Sequence, residues 1–118
     1  MKYMLLIYNA PDAAPAWGTP ESDLQMKRYF DFSTEVVDKG LFVAGDPLQD
    51  TSTATTVRVR DGKSLTTDGP FAETKEVLGG YYILDCENLD QALEYAAKIP
   101  SAEYGSVEVR PLMSVPGM

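Results

Sequence analysis

The 118 residues predict an α+β fold in which two helices cover one face of an antiparallel sheet, with a β-hairpin inserted halfway along the chain. Three observations carry that prediction. Apolar runs of strand length alternate with two segments of helical period, in the order β-α-β, hairpin, β-α-β. Each helical segment opens on a capping residue, Thr19 or Asn88, and closes on Gly40 or Pro100. Between the two halves, TTVRVRDGKSLTT alternates about an Asp-Gly pair, the signal of a two-residue hairpin turn. The order is that of the split βαβ, ferredoxin-like plan.

Taken in turn, Tyr3-Met4-Leu5-Leu6-Ile7-Tyr8 is an unbroken apolar run, so this strand is expected to be covered on both faces. Asn9 to Gly18 reads as a loop from which Trp17 folds back onto the body. Thr19 is the N-cap of the first helix, with Pro20 in the first helical position. Met26, Tyr29, Phe30, Ser33, Val36 and Val37 recur at helical spacing and mark its buried face. Leu41 to Gly45 is a second strand, broken by Asp46-Pro47. Thr55–Arg60 and Lys63–Thr67 are the hairpin arms, and Gly80–Cys86 is the next strand. Asn88 caps the second helix with Gln91 as its capping-box partner; Leu89, Ala92, Leu93, Ala96 and Ala97 form its apolar stripe. Ser106 to Met113 alternates as the last strand. Residues 1–113 read as one domain and 114–118 as a loose tail.

Composition narrows the chemistry. Net charge is −8, from 18 acids against 10 bases, and no cluster of Lys and Arg offsets it, so a nucleic-acid partner is not expected. With no histidine, the chain lacks His-based acid–base catalysis, a Ser-His or Cys-His nucleophile pair, and the commonest transition-metal ligand. Cys86 is the only cysteine, so no intrachain disulfide forms, and it reads as an inert thiol without a basic neighbour. The apolar run after Lys2 is too short for a signal-peptide core or a membrane span, which makes a cytoplasmic protein with no membrane partner the expectation. No Asp-x-Asp-x-Asp-Gly loop is present, and neither metal nor cofactor is expected.

Two helices cover only one face of a sheet, yet Tyr3–Tyr8, Tyr81/Ile83 and Tyr82/Leu84 are apolar on both. Each large apolar side chain left in water forgoes roughly 1.5–3 kcal/mol. A face-to-face homodimer, in which a second copy covers the bare side, is the simplest resolution.

The segments MKYMLLIY, TATTVRVRDG, DGPFAETKEVLGGYYILD and YGSVEVRPLM together resemble the YCII-related family in its DGPF-domain branch, from Met1 to about Met113. That resemblance implies a dimeric α+β barrel, in agreement with the pattern above. It also implies small bacterial proteins often encoded beside extracytoplasmic-function sigma factors, within a wider group similar to lyases and isomerases that bind small molecules in a cleft. The His-Asp pair proposed as catalytic in that wider group has no counterpart here, because the chain has no histidine.

The motif itself gives the candidate site. Asp68-Gly69-Pro70 forms a tight turn, and Phe71 anchors the loop to the body. Glu73, Lys75 and Glu76 then either pair with one another on the surface, at ~0–1 kcal/mol per pair, or overhang a cleft. In the second case Glu73 or Glu76 is a candidate general base, with Asp68, Phe71 and Lys75 on the ligand. Alternation places Arg58 and Arg60 opposite Val57 and Val59, and Glu108 and Arg110 opposite Val107 and Val109. The valines are expected against the helices. The charges either form ion pairs such as Arg58 with Glu108, or grip a carboxylate or enolate oxygen through Arg58 and Arg110. Tyr82 is the candidate phenol near such a site. Three functions remain open: a small-molecule-binding homodimer linked to sigma-factor regulation, a lyase- or isomerase-type enzyme with a Glu base, and a structural dimer with no ligand.

Overall fold

Leucine, tyrosine and valine positions two apart on three strands build the centre of the molecule. The computed structural model describes residues 1–118, with strands β1 (Lys2–Asn9), β2 (Phe42–Pro47), β3 (Thr55–Arg60), β4 (Lys63–Asp68), β5 (Val77–Asp85) and β6 (Ser106–Pro111). Helices α1 (Pro20–Asp38) and α2 (Leu89–Ala96) join them, with short 3-10 turns at Thr51–Thr53 and Pro100–Glu103. The main sheet runs β2-β5-β1-β6, with every neighbour antiparallel. This is the ferredoxin-like α+β plan, with β3 and β4 forming a separate two-stranded sheet between β2 and β5.

Helix ends follow from their capping chemistry. The Thr19 hydroxyl accepts from the Ser22 N–H at 3.2 Å, and the Asn88 side chain accepts from the Gln91 N–H at 2.9 Å. The Gln91 side chain reaches back to the Glu87 N–H at 2.8 Å, one residue before the position a capping box prescribes. At the end of α1, the Leu41 N–H bonds the Val36 carbonyl and the Gly40 N–H bonds that of Val37, a Schellman motif with Gly40 at φ 74°. In the hairpin turn, Asp61 at φ 51° and Gly62 at φ 74° give the two positive angles of a type I′ turn.

One face of the main sheet holds the core. Tyr3, Leu5 and Ile7 of β1 and Leu84 of β5 pack beneath Phe32 and Val36 of α1 and Ala92, Tyr95 and Ala96 of α2. Val107 and Val109 of β6 join from the side, as their alternation predicts. The chain crosses closely at Gly105, where a Cβ would collide with the Tyr8 carbonyl.

Several expectations are corrected. On α1 the buried positions are Phe32 and Val36, while Phe30 is 67% exposed and Val37 55%. The apolar stripe is wide, and the edge that meets the sheet is the one carrying Phe32. On α2, Tyr95 is buried and Leu89 and Leu93 are exposed. β2 continues through Asp46 and Pro47, because an edge strand tolerates a proline whose missing N–H would have faced outward. Trp17 is 85% exposed and Phe71 79%, so neither anchors its loop to the body. Val57 and Val59 do not pack under the helices; the arm formed by β3 and β4 stands apart from the main sheet with both valines exposed.

Candidate functional site

Since Leu5 faces the helices, the register fixes what lies on the other side of the sheet. Asp46, Tyr81, Leu6 and Glu108 sit side by side across all four strands. Ala44, Ile83, Met4 and Arg110 form the adjoining row. A bulge between Ile7 and Tyr8 sets Leu78 opposite Tyr8, and Ser106 completes that row from β6. The floor is therefore apolar and aromatic through β1 and β5, and the polar groups stand on the edge strands. Neither helix covers it, and its side chains are half-buried only by one another.

Two polar pairs flank this floor. The Tyr81 hydroxyl donates to Asp46 Oδ2 at 3.0 Å. That hydrogen bond, and then the negative charge behind it, push the Tyr81 phenol above its ordinary range, so it keeps its proton. On the far edge, Arg110 Nε donates to Glu108 Oε2 at 2.7 Å. A phenol whose proton is held by a carboxylate keeps its oxygen free to accept a hydrogen bond, and a planar guanidinium can hold an oxyanion through its remaining N–H groups. Just before β5, Glu76 Oε2 comes within 3.5 Å of the Ser106 hydroxyl, which donates to it.

The structure divides the residues singled out from sequence. Glu76 is half-buried and, with Arg110, comes to the open side of the sheet. Arg58 and Asp68 lie on the arm, and Phe71, Glu73 and Lys75 on the exposed loop that leads back from it. Gly69 at the start of that loop has φ 100°, which only glycine adopts easily. Tyr82 is on the opposite face from Arg110: its ring meets Phe32 edge-on at 5.0 Å and its hydroxyl bonds the Ser33 hydroxyl at 3.0 Å. Arg58 belongs to a different sheet from Glu108, so a cross-strand pair between them does not form within the chain; Arg110 takes that carboxylate instead. Asp46 and Tyr81 were not singled out. Their proximity depends on the pairing of β2 with β5, which no local motif encodes.

Elsewhere the chemistry is closed. A depression of about 220 Å³ beside α1 is lined by Arg28, Asp31, Phe32, Glu35 and Lys98. Its charges are already paired, with Lys98 on Glu35 at 2.7 Å, Lys27 on Asp31 at 2.9 Å and Arg28 on both Glu103 oxygens at 2.9 and 2.7 Å. Cys86 is buried, and burial raises its thiol pKa, which disfavours the nucleophilic thiolate. No three His, Cys, Asp or Glu side chains gather as metal ligands, and no helix is long and apolar enough to cross a membrane.

Comparison with known proteins places this geometry in context. The YCII-related domain matches residues 1–116. An uncharacterized protein of Rhizobium meliloti strain 1021 is 39% identical over 114 residues, covering 95% of this chain and 92% of its own length. Among solved structures, the 5-chloro-2-hydroxyhydroquinone dehydrochlorinase of Burkholderia phenoliruptrix AC1100, in complex with 2,5-dihydroxybenzoquinone, superposes with a TM-score of 0.51. That similarity covers 96% of this chain and 94% of the other at 13% identity, and it concerns the fold.

Proposed function

This chain belongs to the YCII-related domain family, and from that premise we propose that it is a homodimer whose open sheet faces wall a cleft for a small, oxygen-bearing organic molecule. The observation that carries this reading is the open face itself. Met4, Leu6, Tyr8, Leu78 and Ile83 offer an apolar floor between the Tyr81–Asp46 and Arg110–Glu108 pairs, uncovered by either helix. An apolar floor with a few convergent polar groups is the composition of small-molecule sites in general.

Surface area supports a second copy as the cover. The chain exposes 8328 Å². A compact globular chain of this mass exposes about 6,300 Å², so the excess is of the order that a large, obligate interface removes from each partner. The fold neighbour's complex with a hydroxylated quinone supports the ligand class, because such a ring presents flat apolar faces and edge oxygens.

The test is calorimetric titration with 2,5-dihydroxybenzoquinone. Binding to the wild type, weakened about tenfold in Tyr81→Phe or Arg110→Gln by loss of one hydrogen-bonding group, supports the reading. A protein that stays dimeric and takes up neither this probe nor other hydroxylated rings contradicts the ligand. Its dimer would then have a structural role alone.

A second reading, a lyase- or isomerase-type enzyme, is favoured by the neighbour being a dehydrochlorinase. Glu76 is then the base, since it is half-buried beside Ser106 while Glu73 faces solvent, and Arg110 or Lys75 holds the developing oxyanion. Glu76→Gln abolishes turnover in that case while the fold persists; full activity in both Glu76→Gln and Glu73→Gln removes the base. Binding without turnover favours instead the regulatory role that the family resemblance implies.

A further inference from the structure

The β3–β4 arm is the part of the chain that the body leaves unsupported. β3 and β4 pair only with each other, and every residue from Val57 to Asp68 is exposed. At its root, the Gly69 N–H bonds the Ala54 carbonyl at 2.7 Å and the Thr56 hydroxyl bonds the Gly69 carbonyl at 2.9 Å. Beyond that root nothing packs on it closely. A lone two-stranded hairpin is marginal in water, yet this one holds a regular six-pair register. The chain as a whole is extended: its radius of gyration is 16.4 Å, against about 13–14 Å for a compact domain of this length.

Its two faces differ. The cross-strand pairs put Val57 and Val59 on one side, among Thr55, Ser64 and Thr66. Arg58, Arg60 and Lys63 surround Leu65 on the other. Most cations of the body are paired, with Lys2 the exception, and Lys75 on the following loop is unpaired like those of the arm. Lys27, Arg28, Lys39, Lys98 and Arg110 each hold a carboxylate. Arg58, Arg60 and Lys63 form no ion pair within the chain, and Arg60 spends one N–H on the Val59 carbonyl. Three unpaired cations on one face of a chain with net charge −8 mark a surface fitted to carboxylates. The open sheet face carries carboxylates on its edge strands, Asp46 on β2 and Glu108 on β6.

We propose that the arm is a clasp that closes over a second copy of this chain, setting Arg58, Arg60 and Lys63 against the carboxylates at the edge of that copy's open face. This rests on the homodimer reading above and extends it. Each open-face cleft then takes its outer wall, and its free cations, from the other chain, so the site is incomplete in a single protomer. Arg58, which stands apart from Arg110 within one chain, enters the same cleft from across the dimer.

Sedimentation equilibrium across a salt series, on the full chain, tests this. Wild type is expected to be a dimer whose dissociation constant rises with salt, and Arg58→Glu/Arg60→Glu is expected to weaken it at least a hundredfold with unchanged circular dichroism. Zero-length carbodiimide cross-linking of mixed labelled and unlabelled wild-type protein needs no folded variant. It is expected to join Lys63 to Asp46 or Glu108 of the partner subunit. A dimer whose affinity ignores the double substitution and whose Lys63 forms no link between chains overturns the clasp and leaves the homodimer standing. A wild-type monomer overturns both. A monomer that carries nucleic acid on the arm, lost in the double variant, assigns the cations to a phosphate chain and also overturns the clasp.

Discussion

Leu5 and Leu6 are consecutive on β1, yet they sit in unlike surroundings. Leu5 is fully buried among side chains of α1 and α2, in a layer where the chain supplies both walls. Leu6 lies between Tyr81 and Glu108 on a face with no second layer. Polar groups follow the same division. On the helix side Ser33 bonds Tyr82, Tyr29 bonds Ser101, and Glu35 and Glu103 have their cations. On the open side the Tyr81–Asp46 and Arg110–Glu108 pairs keep unused bonding capacity. The contrast teaches that the chain closes one face of its sheet with its own helices and leaves the other without a second layer.

The sharpest way to break this comparison is to cut each leucine back. Leu5→Ala is expected to destabilise the fold by about 2–5 kcal/mol in chemical denaturation, because it empties a closed layer. A loss below about 1 kcal/mol would mean the helix side is as loosely filled as the open side. Leu6→Ala is expected to leave that layer intact and to weaken dimer association about tenfold, roughly 1.4 kcal/mol, as read by sedimentation. Equal effects of both substitutions on monomer stability would erase the distinction.

Smaller changes sharpen it. Asn88→Ala removes the side-chain acceptor at the start of α2 and is expected to cost about 1 kcal/mol of thermal stability, with ligand uptake by the open face unchanged. The smallest effects are in titration, and they lie at opposite ends of the pH scale. Bonds from Lys98 to Glu35 and from Arg28 to Glu103 lower those carboxyl pKa values in the folded chain. Their stabilisation is present above the ordinary carboxylate range and is lost as pH falls through it towards the lowered values. Being exposed, these pairs contribute little and are screened by salt. Tyr81 behaves oppositely: its raised pKa gives a contribution present below the ordinary phenol range and lost as pH rises through the folded value. An ultraviolet difference titration of wild type against Tyr81→Phe is expected to show a late-titrating phenol, which Asp46→Asn returns towards normal.

Much of the fold was legible because it is written locally. The Thr19 and Asn88 caps, the Gly40 ending, the Asp61-Gly62 turn and the positive φ at Gly69 each follow from one or two residues. The β-α-β order on either side of the hairpin gave the topology. What depends on tertiary placement was harder. Helical periodicity marks an apolar stripe on α1 that includes Phe30 but not which edge meets the sheet, and the buried ring is Phe32. Alternation correctly separated Val57 and Val59 from Arg58 and Arg60, but it carries no information about what covers either side. In the candidate site, Glu76 and Arg110 were legible as charges beside apolar strands. The Asp46–Tyr81 pair was not, because it arises from the β2–β5 register, and Asp46 beside a proline reads as a strand end.

The most direct measurement is sedimentation equilibrium of the unmodified chain at micromolar concentration. A second copy covering the open faces predicts the mass of two chains, with no single-chain species in excess. A single-chain mass, with the circular dichroism of a folded α+β protein, would show that the bare sheet face is stable in water and would contradict the account.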